Sequence, residues 1–314
     1  MSGDCAASDV ATVVVIGASG FIGEHLLKVL VERKGIEVRV LVHRNRTKDH
    51  PNINFIEGDL LKPDSLNALL SENCTVINLA YLADHNLDAM SNLVKACAKS
   101  QVKRLIHCST AVVAGRVKGN WVNEKTQSIP VSEYEKTKLR IEEVLLETAS
   151  DKFELTILRP TAVFGPEGKN LLKLANELMT ANMWVNYVRS CLFSRRSMNL
   201  VCVENVASAL AFLSTCKKVN REIFIISDDD SPINNYCDIE KRLMKSFGKS
   251  YSVPRIFVPR FFLGALLRLS GKSNINPSVK FSDQKLAVRG FKKPQNLEKA
   301  IDDFAAWHKK TYTI

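Results

Sequence analysis

Tyr134 and Lys138 stand four residues apart, so any helix that carries them places both on one face. A phenol beside a lysine ammonium is suited to passing a proton to and from a carbon-bound oxygen, because the positive charge favours the phenolate. Well upstream, Gly17-Ala18-Ser19-Gly20-Phe21-Ile22-Gly23 follows directly on the apolar run Thr12-Val13-Val14-Val15-Ile16. A strand, a tight glycine turn and a helix start aim backbone N–H groups and a helix dipole at phosphate oxygens. Gly17 permits the turn, Gly20 lets the backbone approach a pyrophosphate, Gly23 packs helix on strand, and Ser19 adds a hydroxyl. The two clusters together point to a bound nicotinamide dinucleotide that moves a hydride and a tyrosine that moves the accompanying proton.

These groups need a scaffold, and the hydropathy pattern supplies one. Thr12–Gly17 and Val38–Val42 read as strands, the second an apolar run without alternation, as expected of a strand covered on both faces. Asn54–Ile56, Thr75–Leu79, Leu105–Cys108 and Leu155–Leu158 are further strands. Phe21–Arg33, Pro63–Leu70, Leu87–Ala98 and Val131–Thr148 are helices, the last carrying Tyr134 and Lys138. Strand and helix in alternation mean a parallel, doubly wound sheet. After Pro160 the rhythm loosens. Asn170–Met179, Glu204–Thr215, Asn234–Phe247 and Leu297–Lys309 read as helices, Glu222–Ile226 as a strand, and Asn186–Asn199 as a polar, basic stretch. The expected architecture is α/β. Residues 1–11 form a flexible N-terminus and 12–165 a Rossmann-type doubly wound parallel sheet. Residues 166–314 form a smaller C-terminal substrate-binding lobe, partly interleaved with that sheet.

Composition narrows the function. The 314 residues are 46% apolar and 25% charged, as in soluble globular proteins. No apolar run approaches the roughly 18 residues that would cross a bilayer. Met1–Asp9 lacks the basic-then-apolar order of a secretory signal. The eight cysteines form no C-x-x-C pair, so no metal site is expected and a reducing, cytoplasmic setting fits. The net charge of +11 reads as a basic surface with sites for anionic ligands, since no interleaved aromatic and basic nucleic-acid module is visible. Pro254–Gly271 mixes Phe257, Phe261, Phe262 and several leucines with Arg255, Arg260 and Arg268. It reads as a core helix with its arginines exposed, and peripheral membrane contact is the competing reading.

Further landmarks lie in a fixed order: Gly58-Asp59-Leu60, Asn78-Leu79-Ala80, Asn86 with Asn92-Leu93, and Cys108-Ser109-Thr110 with Gly115. Leu158-Arg159-Pro160 with Phe164-Gly165-Pro166, and Val203-Glu204-Asn205-Val206-Ala207, complete the series. With the glycine turn and Tyr134-x-x-x-Lys138, they make the chain resemble the extended short-chain dehydrogenase/reductases, the nucleotide-sugar epimerases, dehydratases and reductases, from about residue 12 onward.

The resemblance implies roles residue by residue. Tyr134 is the acid/base, Lys138 tunes it and holds the nicotinamide ribose, and Thr110 orients the substrate oxygen, with neighbouring Ser109 able to substitute. The cofactor rests on Gly17, Ser19, Gly20, Phe21, Ile22 and Gly23. His43, Arg44, Asp59, Leu60, Leu79, Ala80 and Pro160, with Tyr134 and Lys138, complete its site, Asp59 facing the adenine. The second strand ends in His43-Arg44-Asn45-Arg46, with no carboxylate for a ribose 2′-hydroxyl. This favours NADP, with NAD as the other candidate. Arg189, Arg195 and Arg196 fall where family members grip a substrate diphosphate, and Asn170 is placed to approach the substrate, although Met198 stands where an arginine often sits and Ala114 where a tyrosine often precedes the glycine. The expected activity is a keto-sugar reductase acting at C4 of a nucleoside-diphosphate sugar. The alternative is a 4-epimerase that retains NAD. Behind both stand a reductase of a lipid-linked or sterol-like carbonyl and a non-catalytic dinucleotide sensor. Dehydration is disfavoured, because Ala111-Val112 replace the acids expected after the catalytic hydroxyl. Pairing of the helices Leu87–Ala98 and Val131–Thr148 implies a homodimer.

Overall fold

The computed structural model describes residues 11–43, 50–82, 84–117, 119–149, 151–256 and 276–312. Residues 1–10, Arg44, Arg46 and the 257–271 part of the apolar, arginine-bearing stretch lie outside the described residues. The chain forms two compact units. The first comprises 1–108, 140–157 and 210–222, and the second 109–139, 158–209 and 223–314. The units thus interleave along the chain rather than meeting at one boundary near 165.

The first unit is built on β1 (Ala11–Ile16), β2 (Ile36–Val42), β3 (Ile53–Glu57), β4 (Thr75–Asn78) and β5 (Arg104–Cys108). Among the described residues they belong to a seven-stranded sheet of order β10-β7-β5-β4-β1-β2-β3, in which β7 (Glu154–Pro160) and β10 (Glu222–Ile226) give residues to both units. The β1, β2, β3, β4 and β5 pairings are parallel, and the register sets Ile16 beside both Leu41 and Asn78. Val13 to Ile16 are all buried, which is why β1 shows no alternation. Helices α1 (Phe21–Val31) and α2 (Asn86–Lys99) bury Leu26, Leu27 and Leu30, and Ala89, Met90 and Leu93. Part of α3 (Glu133–Thr148) joins this core through Ile141 and Leu145. The helix expected over Pro63–Leu70 is only a 3₁₀ turn, Pro63–Leu66. The amides of Leu69 and Leu70 both reach back to Leu66 O, and the helix does not continue.

In the second unit β6 (Trp121–Val122) pairs with β11 (Lys280–Phe281), and β8 (Ala162–Phe164) with β9 (Leu200–Cys202). Its main core lies among α4 (Leu172–Thr180), α7 (Tyr236–Ser246) and α9 (Leu297–Tyr312), filled by Phe164, Leu178, Ile239, Leu243, Ile301 and Phe304. Helix α6 (Val203–Leu213) follows β9 directly, and the short α8 (Gln284–Val288) precedes α9. Where the sequence pattern reads as polar and basic, the chain forms α5 (Met183–Phe193), started by Asn182 Oδ1 accepting the Trp184 amide at 2.8 Å.

Two adjacent buried carboxylates tie this unit together. Asp229 accepts from Asn199 Nδ2 (2.7 Å), Asn234 Nδ2 (2.9 Å) and the Phe281 amide (2.8 Å). Asp228 accepts from the Cys202 amide (2.9 Å) and Asn205 Nδ2 (3.1 Å). Burial pushes each carboxyl up to about 6.

Candidate functional site

The glycine turn forms a cavity of about 270 Å³ within the first unit, lined by Ile16, Gly17, Ser19, Leu41, His43, Asp59, Leu60, Ala80 and Leu82. Gly17 has φ +81°, and a Cβ there would lie 2.8 Å from Ala80 N, so only glycine fits the crossing of β1 and β4 ends. Gly20 is the N-cap of α1 and offers no side chain to the first-turn N–H groups, which leaves them for an anion. A Cβ on Gly23 would meet Ala18 O at 2.5 Å, which explains the third glycine as close packing of the helix on its own turn. His43 Nε2 lies 3.6 Å from Asp59 Oδ2, so an acid does reach this end of the cavity, from the β3 side. Asp59 is anchored by Ser65 Oγ accepting its amide at 2.8 Å, and Asn92 Nδ2 of α2 donates to Leu60 O at 3.0 Å. The cradle thus has the turn, the unspent amides and the polar end that a dinucleotide needs. Phe21 and Ile22 occupy the first turn of α1, and the Leu79 amide donates to Ile16 O at 2.8 Å, but none of these three lines the cavity.

The residues expected to handle the proton, Tyr134, Lys138 and Thr110 or Ser109, sit in the second unit, with Pro160. The turn before α3 closes as a reciprocal capping box. Glu135 Oε2 accepts the amides of Val131 (2.7 Å) and Ser132 (3.2 Å), while Ser132 Oγ accepts the Glu135 amide (3.3 Å). This fixes the first turn of the helix, where Tyr134 stands half exposed, and Lys138 follows one turn on, 5% exposed. Thr110 caps the 3₁₀ turn Ala111–Ala114, its Oγ1 accepting the Val112 amide at 3.4 Å, and the Ser109 amide donates to Leu158 O at 2.8 Å. Gly115 ends that turn at φ +61°, and any Cβ would overlap Ile129 O.

A cavity of about 390 Å³ opens in the same unit, lined by Ala111, Val112, Gly115, Glu135, Thr161, Ala162, Arg196, Met198, Asn199 and Phe281. Thr110 and Tyr134 are not in its wall, but their sequence neighbours Ala111 and Glu135 are. Of the three arginines predicted near a substrate, only Arg196 lines it. Arg189 Nη1 is spent on Glu177 Oε2 at 2.7 Å, and Arg195 is exposed. Asn170 is exposed and donates to Val163 O at 2.7 Å. The Arg196 guanidinium stands 5.9 Å over the Phe193 ring, has no carboxylate partner among the described residues, and is pulled below its usual pKa by burial. Thr161 Oγ1 is buried without a hydrogen-bond partner among the described residues.

Sequence reading missed Glu135, Thr161, Asn199 and Phe281. The Ser132-x-x-Glu135 spacing was a usable signal for the first. Asn199 reaches the wall from the left-handed region at φ +50°, held by Asp229 and by Val279 O at 2.8 Å, and no local pattern announces that.

Residues 13–226 match the profile of the NAD dependent epimerase/dehydratase family. The chain is 26% identical over 326 aligned residues to the N-acetyl-alpha-D-glucosaminyl-diphospho-ditrans,octacis-undecaprenol 4-epimerase of Escherichia coli O157:H7, covering 92% of this chain and 93% of the relative. It is 25% identical to the decarboxylating sterol-4-alpha-carboxylate 3-dehydrogenase of Mus musculus, over 81% of this chain and 74% of that one. The crystal structure of UDP-glucuronic acid 4-epimerase from Bacillus cereus in complex with NAD superposes with a TM-score of 0.71, at 20% identity, over 96% of this chain and 100% of that chain. With a profile match spanning both the glycine turn and the Tyr134/Lys138 helix, the chain belongs to the NAD dependent epimerase/dehydratase family, the extended short-chain dehydrogenase/reductases.

Proposed function

We propose that this enzyme epimerises a diphosphate-linked sugar, oxidising a ring carbinol and reducing it again from the opposite face. The observation that carries this reading is the full-length likeness to a 4-epimerase whose printed substrate is a sugar on a diphosphate, in a chain that keeps Tyr134, Lys138 and Thr110. The nicotinamide, when bound, supplies the hydride acceptor for the first half and the donor for the second. Gly17, Ser19 and the first-turn amides of α1 hold the dinucleotide phosphates, and Asp59 with His43 takes its adenosine end. Tyr134 accepts the sugar hydroxyl proton as the carbon is oxidised and returns it to the new alcohol. Thr110, or Ser109, orients that oxygen, and Lys138 favours the phenolate. Arg196, a desolvated cation with no acid of its own, receives the substrate's anion, and Thr161 Oγ1 completes its hydrogen bonding on a sugar hydroxyl.

A second reading, NADPH-dependent reduction of a keto sugar, is favoured by one feature, the His43-Arg44-Asn45-Arg46 sequence, which suits a 2′-phosphate. Mass spectrometry of the cofactor released from purified protein separates the two. Retained NAD supports the epimerase. Empty protein that binds NADPH more tightly than NADH, with the preference lost in Arg44→Ala, supports the reductase. An epimerase also turns over a UDP-sugar in D₂O without gaining carbon-bound deuterium at the inverted carbon.

A further inference from the structure

Helix α5 is turned inside out. Its buried residues include Asn186 and Ser190, while Trp184, Val185 and Val188 are 67%, 46% and 62% exposed. An ordinary surface helix does the reverse. Hydrogen bonds fix the inversion. Asn186 Nδ2 donates to Glu177 O at 2.9 Å, and Ser190 Oγ is shared by Glu240 and by Arg255 Nε at 2.7 Å. The one charge on the helix, Arg189, is committed to Glu177, so the outward face carries no charge at all.

The apolar face continues onto the neighbouring segment. Tyr187 OH donates to Pro254 O at 2.8 Å, and its ring meets Trp184 and Tyr251 edge-on at 6.1 and 5.5 Å. This lays residues 251–256 along α5, where Val253 and Ile256 are 42% and 73% exposed. The surrounding sequence is acid-free. From Leu178 to Val203 there are three arginines, and from Lys241 to Ser282 nine lysines and arginines, without one Asp or Glu in either stretch.

We propose that the face formed by Trp184, Val185, Val188, Val253 and Ile256 docks on an anionic lipid surface. A tryptophan with aliphatic neighbours, in stretches of sequence whose only charged residues are cations, has the composition of an interfacial membrane contact, with the ring at headgroup depth and exposed cations such as Arg195 against lipid phosphates. A second copy of the chain fits less well, because a two-fold contact through this face would bring together two copies of the same cation-rich stretches. Among the described residues no helix is long and apolar enough to cross a membrane, so the contact is with its surface.

Sedimentation with sucrose-loaded vesicles tests this. The parent protein should partition onto vesicles of equal parts phosphatidylglycerol and phosphatidylcholine, much less onto phosphatidylcholine alone, and should be released as salt rises. The Trp184→Glu/Val188→Glu variant should bind about tenfold more weakly or less, with unchanged circular dichroism because both side chains are exposed. Ile256→Glu, on a separate segment, should weaken binding independently. Parent protein that ignores phosphatidylglycerol vesicles, or variants that bind them equally well, would overturn the proposal. So would a parent dimer that the double variant converts to monomer.

Discussion

Tyr134→Phe removes a single oxygen and leaves the helix that bears it intact. Turnover should fall by about 10²–10⁴-fold, the usual worth of general acid/base help, while dinucleotide affinity measured by fluorescence titration stays close to the parent's. Activity within a factor of about two would take the phenol out of the mechanism. Arg196 offers the sharper test of substrate class. A lone, desolvated guanidinium in a cavity wall should be worth a strong charge-assisted bond to a substrate anion. Arg196→Met should raise KM for a UDP-sugar about 10- to 100-fold and leave NAD affinity alone. Arg195→Ala, at an exposed neighbour, is the control and should change neither. An unchanged KM in Arg196→Met would remove the diphosphate from this cavity. The three turn glycines are legible in the sequence because their spacing dictates the turn, and Tyr134 and Lys138 are legible as a pair one helical turn apart, which is where the structure puts them. Arg189, Arg195 and Arg196 look alike on the page. Only folding decides that one pairs with Glu177, one faces water and one faces a cavity.

At the scale of elements, the start of α3 governs how well Tyr134 is held. Ser132→Ala deletes one half of the capping box and should cost about 1 kcal/mol of stability, read from urea unfolding. The same change should lower kcat more than it alters KM, since it loosens the turn that carries the phenol, while Ser132 lines neither cavity and reaches a wall only through the Glu135 amide. Full kcat at reduced stability would show that the first turn holds its shape without the serine. The strands of the parallel sheet were readable because a strand buried on both faces must be apolar throughout, as Val13 to Ile16 are. Helix α5 was not, and the reason is physical. Periodicity finds a helix by its dry face, and here the dry face holds Asn186 and Ser190 while valines and a tryptophan face out. The two-residue strands β6 and β11 were equally silent, since a pairing that short leaves no pattern to find.

For the molecule as a whole, stability should respond to pH through Asp228 and Asp229. Each carboxyl is held at about 6 by burial against an ordinary 3.8, so the folded state binds protons more tightly than the unfolded chain between those values. Their contribution is therefore greatest below about pH 3.8 and is lost as pH rises through about 6. Asp229→Asn should unfold at lower urea throughout, because its amide nitrogen must face donors from Asn199, Asn234 or Phe281. It should also show a shallower decline between about pH 4 and pH 6 than the parent, and an identical slope would place the protons elsewhere. The interleaving of the two units has a further consequence, for synthesis. The first unit has its opening 108 residues early, yet its last segment ends at residue 222. At ribosomal rates of about 5–20 residues per second, the intervening stretch takes roughly 6 to 23 seconds to emerge. Until residue 160 the nascent sheet lacks β7, and an unpaired β5 edge is open to the wrong neighbour; from then to the end of the interval it lacks β10, and the open edge is that of β7. The chain is thus expected to depend on chaperones late in translation, and no stop codon placed between the units can yield the first one whole.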